Sequence, residues 1–174
     1  MIEELRKYIG VQSDWETACD RVEAGAVRRF AQAIMDEDPA FGPQGEDRFG
    51  GPVAPPLYPM MMFRRPLGAP DPLRIHAGDP EFDGIGQGSS VTRGLPEIAP
   101  LAGWAILNGG TEVELFRYAR HGETIRMRSR YADITEKDTS KGPIVLVVTE
   151  TEIATPDGEV LLRARRTLIR RKPR

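Results

Sequence analysis

Pro52-Val53-Ala54-Pro55-Pro56-Leu57-Tyr58-Pro59-Met60-Met61-Met62-Phe63-Arg64-Arg65-Pro66 is apolar on every side between its prolines. The leading prolines suit a helix's first turn, where a missing N–H costs nothing, and Pro66 cannot continue one, so the spacing predicts a short helix between them. A helix without a polar stripe has to be covered on most sides. A curved sheet wrapped around it is an economical cover.

Working upstream, residues 25–35 set Ala26, Val27, Phe30, Ala31, Ile34 and Met35 on one stripe against Arg28, Arg29 and Gln32, which predicts an amphipathic helix. Directly behind it stands Asp36-Glu37-Asp38-Pro39-Ala40-Phe41. Carboxylates at a helix C-terminus oppose the dipole, each at a cost of about 0.3 kcal/mol or more. Two readings follow: an active-site loop, or a solvated acidic turn. At the start of the chain, Ile2, Leu5 and Ile9 fall at helical spacing and Gly10 is a natural stop.

Downstream, residues 67–103 form a long connection rich in Gly, Pro and Asp, the composition of a lid or binding loop. Within it Gly84-Ile85-Gly86-Gln87-Gly88-Ser89 has a phosphate-loop look, but no strand precedes it and no Lys follows, so that reading is rejected. Then the period becomes 2. Val113 and Leu115 alternate with Glu112 and Glu114, and after a turn signal at His121-Gly122-Glu123 the residues Ile125, Met127, Ser129 and Tyr131 alternate with Arg126, Arg128 and Arg130. Paired as a hairpin, these two strands would set Glu112 and Glu114 against the basic face. Ile144-Val145-Leu146-Val147-Val148 opens a second hairpin that turns at Thr155-Pro156-Asp157-Gly158 and returns through 160–169. A three-residue loop with Gly158 left-handed fits that turn, but a shift of one residue would reverse the inward set, so the register stays open.

Composition excludes several classes. A length of 174 residues suits one domain over 1–174, and a formal net charge of −2 gives no general attraction to nucleic acid. Cys19 is the single cysteine, and with His76 and His121 as the two histidines a Cys/His metal site is hard to assemble. The first residues carry no apolar signal-peptide core, and no run approaches the roughly 18 apolar residues of a membrane span, so a cytoplasmic chain is expected.

Three pieces together resemble a known family: residues 25–41; Leu107-Asn108-Gly109-Gly110-Thr111-Glu112-Val113-Glu114-Leu115-Phe116-Arg117; and 128–171, with Ala132-Asp133-Ile134 and Thr167-Leu168-Ile169-Arg170-Arg171. Their order and spacing are similar to the N-terminal-type MaoC dehydratase domain, also called the fatty-acid-synthase-like dehydratase domain. The resemblance implies a hot-dog α+β fold, an antiparallel curved sheet wrapped around a central helix, pairing with another such domain into a double hot dog. It also implies R-specific hydration of a trans-2-enoyl thioester, or dehydration of a 3-hydroxyacyl thioester, with coenzyme A or an acyl carrier as the thiol and no cofactor.

In the family's active members the loop reads Asp-x-Asn-Pro-x-His, and the Asp and His handle the water and the proton. Asp36 and Pro39 match, Asp38 replaces the Asn, and Phe41 stands where the His is expected. Asp36 is therefore the candidate catalytic residue, and Phe41 removes general acid/base help worth roughly 10²- to 10⁴-fold in rate. A homodimer or a heterodimer with a second hot-dog subunit is implied, the heterodimer supplying the intact dyad. Asn108, Gly109 and Gly110 are candidates for contact with a pantetheine arm, or simply a glycine bulge at a sheet bend. Tyr58 and Met61 are candidates for the acyl pocket, with plain core as the alternative for the methionines. The basic run Arg163, Arg165, Arg166, Arg170, Arg171, Lys172 and Arg174 is either a solvated strand face or a set of contacts to coenzyme A phosphates. Two rival functions stand beside hydration: a hot-dog thioesterase in which Asp36 activates water, and an acyl-thioester-binding or structural subunit without chemistry of its own.

Overall fold

The computed structural model describes residues 2–43, 45, 47–64, 66–71, 74, 76–81, 93–140 and 142–172. Helix α1, Ile2–Arg6, buries Leu5, and the chain then turns at Gly10, whose φ of 88° suits glycine. Strand β1 is the two-residue Glu16–Thr17, and helix α2 is Ala24–Ala33. Four long strands follow: β2 Ala105–Leu115, β3 Arg126–Lys137, β4 Ile144–Ala154 and β5 Val160–Arg171. They form one antiparallel sheet in the order β1-β3-β4-β5-β2. This is the expected α+β architecture.

The β4–β5 hairpin forms where the turn residues predict, with Gly158 at φ 98° and its N–H donating to the Thr155 carbonyl at 3.0 Å. Its register, open from sequence, pairs Val147 with Leu168 and Ile153 with Leu162. The predicted pairing of 112–115 with 125–131 is corrected. β2 pairs with β5 instead, matching Glu112 with Arg165 and Glu114 with Arg163. The Gly122 turn is real, at φ 83°, but its flanks are held by loops and not by each other: the Ala54 N–H donates to the Ala119 carbonyl and the Gly122 N–H to the Val22 carbonyl, both at 2.8 Å. Charge patterning could not separate the alternatives, because the β3 arginines find carboxylates on β4, with Arg130–Glu150 at 2.9 Å and Arg128–Glu152 at 3.4 Å.

A second correction concerns residues 52–66. The described residues there hold a single 3₁₀ turn, Tyr58–Met61, and an isolated bridge from Val53 to Arg120. Pro52, Pro55, Pro56 and Pro59 remove four backbone donors from this short stretch, so an α-helical ladder cannot propagate. Tyr58, Pro59 and Met62 are buried, whereas Leu57 and Met61 are 49% and 44% exposed, so the segment is covered on one side and not all round.

One face of the sheet carries the core, and it is divided. Met127, Ile153 and Leu162 stand in register and pack with Val27 and Ala31 of α2, Phe41 and Tyr58. Ile134, Val145, Val147 and Leu168 pack at the other end with Leu5, Leu95 and Leu101. Between the two clusters runs a polar band in register, Ser129–Thr151–Ala164 and then Tyr131–Thr149–Arg166–Thr111. The opposite face is a ladder of arginines and glutamates, with Trp15 stacked against Arg126 and Arg128 at 4.2 and 4.5 Å.

Candidate active site

The 36–41 loop is set by the end of α2. The Asp36 N–H donates to the Ala31 carbonyl at 3.0 Å and the Met35 N–H to the Gln32 carbonyl at 3.2 Å, the paired bonds of a Schellman stop. That motif needs a left-handed residue, usually glycine, and here it is Met35 at φ 56°, 89% exposed. An L side chain in that region costs about 1 kcal/mol. The strain sits one residue before the candidate acid.

Asp36 is half-buried, and one of its carboxylate oxygens accepts the Asp38 N–H at 3.2 Å. Asp38 caps the 3₁₀ turn Pro39–Phe41 by accepting the Ala40 N–H at 2.9 Å, and its other oxygen meets Arg48 at 2.9 Å. The Ala40 N–H bond, followed by Arg48, holds the Asp38 carboxyl below the usual carboxylate range. Asp38 thus shapes the loop, and Asp36 is left as its partly open carboxylate. Phe41 lies in the first core cluster at 6% exposure, so the position where a base is expected faces packed apolar side chains.

Asn108, Gly109 and Gly110 form a bulge in β2 where the register with β5 shifts. A Cβ on Gly109 would come within 3.1 Å of the Thr167 carbonyl oxygen, so the closeness of β5 favours glycine here. Gly110 has φ 124°, and its N–H donates to the Asn108 side-chain oxygen at 3.3 Å. Tyr58 is packed edge-on to Phe30 at 5.5 Å between ring centres, and burial raises its phenol pKa. Met61 points to the surface, and the neighbouring Met60 lines a cavity.

That cavity, about 280 Å³, lies over the polar band between the core clusters. Its floor is Ser129, Thr149, Thr151 and Ala164, Asn108 and Thr111 of β2 stand at the exposed side, and Arg93 and Arg166 converge on it. Asp36 is not among its lining residues. Sequence reasoning missed the two arginines as a pair. Arg166 takes a core-parity place between Ala164 and Leu168, a visible break in the apolar alternation, but only the β4–β5 register shows which parity faces inward. Arg93, at φ 48°, comes from the long connection, where no period points to it. Burial, then the nearby Arg166, lowers the Arg93 pKa.

Two other arginines of the basic run serve the fold, whereas Arg165 and Lys172 are exposed. Arg163 pairs with Glu152 at 3.2 Å, and Arg170 donates to the Leu101 and Trp104 carbonyls at 2.6 and 3.2 Å. Arg174 and the 84–89 motif lie outside the described residues. Burial lowers the His121 pKa, and its backbone N–H is tied to the Pro52 carbonyl at 3.1 Å. Cys19 is exposed and donates to the Arg64 carbonyl at 3.3 Å. Among the described residues there is no group of three metal-ligating side chains, and no helix long and apolar enough to cross a membrane.

Residues 7–164 match the family model described as the FAS1-like dehydratase domain region. The chain belongs to this family. Its fold is that of the MaoC-like hot-dog dehydratases. A chain of the ChsH1-ChsH2 complex from Mycobacterium tuberculosis superposes with a TM-score of 0.71 at 19% identity, covering 99% of this chain and 92% of that one. The MaoC-like dehydratase from Rhodospirillum rubrum gives 0.57 at 21% identity, with 93% and 94% covered. The HadBC (3R-hydroxyacyl-ACP dehydratase) complex from Mycobacterium tuberculosis gives 0.56 at 18% identity, with 93% and 96% covered. Among curated protein sequences none matches the chain.

Proposed function

We propose that this FAS1-like dehydratase-family chain is one subunit of an R-specific enoyl-thioester hydratase, equally a 3-hydroxyacyl-thioester dehydratase, whose proton-transferring base comes from a partner hot-dog subunit. The observation that carries this reading is the loop: Asp36 keeps a partly open carboxylate, while Phe41 is sealed in the core. A carboxylate can hold a water by hydrogen bonding. Addition across the enoyl double bond also needs a group that takes the water's proton as its oxygen joins the β-carbon and delivers one to the α-carbon, and a phenyl ring does neither.

The sheet supports a partner. Among the described residues β2 pairs with β5 on one side only, and it is exposed along nearly its whole length, with Leu107 and Val113 49% and 41% exposed and Phe116, just beyond it, 49% exposed. An open apolar edge invites coverage by another chain. Two of the similar structures are of complexes, ChsH1-ChsH2 and HadBC, which supports a hot-dog partner here. In this arrangement the Asn108–Gly110 bulge on β2 lies beside the thioester arm, Tyr58 supports the wall behind it, and the surface-facing Met61 is left to meet the substrate or the partner outside the cavity that Met60 lines.

The test is reconstitution. The chain is mixed with a hot-dog chain that carries an intact Asp and His, and crotonyl-CoA is supplied. The expected result is a stable mixed dimer that removes the enoyl absorbance with the thioester intact, and that loses activity when the partner's His is replaced. Release of free coenzyme A would assign hydrolysis instead. No complex and no turnover would overturn the proposal.

A further inference from the structure

The cavity over the polar band has a one-sided chemistry. Arg93 and Arg166 bring two permanent cations to it, and none of its lining residues among those described is acidic, the charge of Glu16 reaching Arg93 from outside the lining. Among the described residues the ion pairs of the sheet occupy Arg128, Arg130 and Arg163 on the other face, and neither Arg93 nor Arg166 takes part in one. The Arg93 guanidinium donates to the Met127 sulfur at 3.3 Å, a weak acceptor for a half-buried charge. Two like charges held together beneath a protein surface are unfavourable unless an anion lies between them.

The remaining groups are poised as donors. Ser129 and Thr151 hydroxyls share one hydrogen bond at 2.9 Å, which uses one of their two protons and leaves the other for a third oxygen. The Asn108 side-chain oxygen is taken by the Gly110 N–H, so its amide N–H₂ remains for a ligand at the exposed side. A space of about 280 Å³ is enough for a short chain ending in a planar oxyanion and too small for a nucleotide. Guanidinium forks match carboxylate geometry.

We propose that this cavity binds a carboxylate carried at the far end of the substrate's acyl chain, with Arg93 and Arg166 as its specificity-determining residues. The assignment rests on the acyl-thioester reading above. Asn108 and Thr111 place the cavity's exposed side on β2, the strand along which that reading runs the thioester, so a short acyl chain entering there extends towards the two arginines. The class of reaction supplying such a substrate is one that makes monothioesters of dicarboxylic acids.

Calorimetric titration of the full chain with succinyl-CoA and butyryl-CoA tests this, since the two acyl groups share four carbons and differ in the terminal charge. The expected result is at least about tenfold tighter binding of succinyl-CoA, the least that charge-assisted hydrogen bonds contribute. Arg166→Gln and, separately, Arg93→Gln should erase that preference and leave butyryl-CoA affinity within about twofold. The two variants sit on different elements, so a folding failure in one leaves the other informative. Equal affinity for the two thioesters in the wild type, or a preference that survives both variants, would overturn the inference while leaving the thioester reading intact. Free succinate and inorganic phosphate serve as further probes. Arginine-dependent binding of free succinate with no binding of either thioester would keep the carboxylate pocket but contradict the acyl-thioester reading and the acyl-borne source of the carboxylate. Phosphate bound as tightly as succinate would overturn the carboxylate assignment.

Discussion

Replacing Phe41 by histidine restores the family's loop residue and asks whether the chain lost a base or committed the position to its core. The ring is 6% exposed among Ala31, Tyr58 and their neighbours. Losing its burial removes roughly 1.5–3 kcal/mol of transfer free energy, less the part recovered by the smaller imidazole. An imidazole nitrogen left without a partner there costs about 1–3 kcal/mol more. The sum, after that recovery, is about 2–5 kcal/mol, and for a urea m-value of about 2 kcal/mol/M the midpoint falls by about 1–2.5 M. The sign with pH follows from burial, which disfavours the imidazolium and lowers the folded-state pKa of a histidine. The variant's extra instability therefore grows as pH falls below the unfolded value of about 6.5. Phe41→Leu keeps the site apolar and should cost about half as much or less. Urea melts at two pH values together with a crotonyl-CoA hydration assay measure all of this. A Phe41→His variant as stable as wild type and newly active would refute the reasoning, because it would mean the side chain can leave the core and reach substrate.

Arg117 clamps the β2–β3 crossing, donating to both Glu159 oxygens at 2.7 and 2.8 Å, to Glu123 at 2.9 and 3.1 Å and to the Tyr118 carbonyl at 2.7 Å. After allowance for solvent screening, Arg117→Ala should destabilise by about 2–3 kcal/mol, read by thermal or urea unfolding. Arg117 holds the Glu159 carboxyl below its ordinary 4.5, so this contribution is complete above 4.5 and is lost as pH falls through the lower folded value. The acid limb of the stability curve should therefore be shallower in Arg117→Ala. Met35→Gly relieves the left-handed strain at an exposed site and should stabilise by about 0.5–1 kcal/mol in the same melts. Val113→Lys on the exposed face of β2 should leave the chain's own melting within about 0.5 kcal/mol and abolish complex formation with a hot-dog partner in gel filtration.

The long strands were legible because their patterns are local: 126–131 alternates unbroken, 144–148 is a continuous β-branched and aliphatic run, and Pro156-Asp157-Gly158 marks the turn between β4 and β5. Strand partnership was not legible. β2 carries glutamates that complement arginines on either β3 or β5, and the choice is made by loops at 52–54 and 116–122 that no period describes. The segment 52–66 was correctly apolar and wrongly α-helical, because composition reports burial while proline spacing decides which hydrogen bonds can close. At the site, the Asp36 loop was visible as a motif and Phe41 as its departure. The cavity was not, since Arg93, Asn108, Ser129 and Arg166 converge from four separate segments whose meeting depends on an undetermined register.

The central claim, that this chain keeps the loop's acid and has Phe41 in place of the loop's base, is tested most directly by the hydration rate of crotonyl-CoA on the purified chain alone. The expected turnover is depressed by the roughly 10²- to 10⁴-fold that general base catalysis contributes, relative to the reconstituted complex. A single chain that hydrates as fast as the complex, and loses that activity in an Asp36→Asn variant, would contradict it.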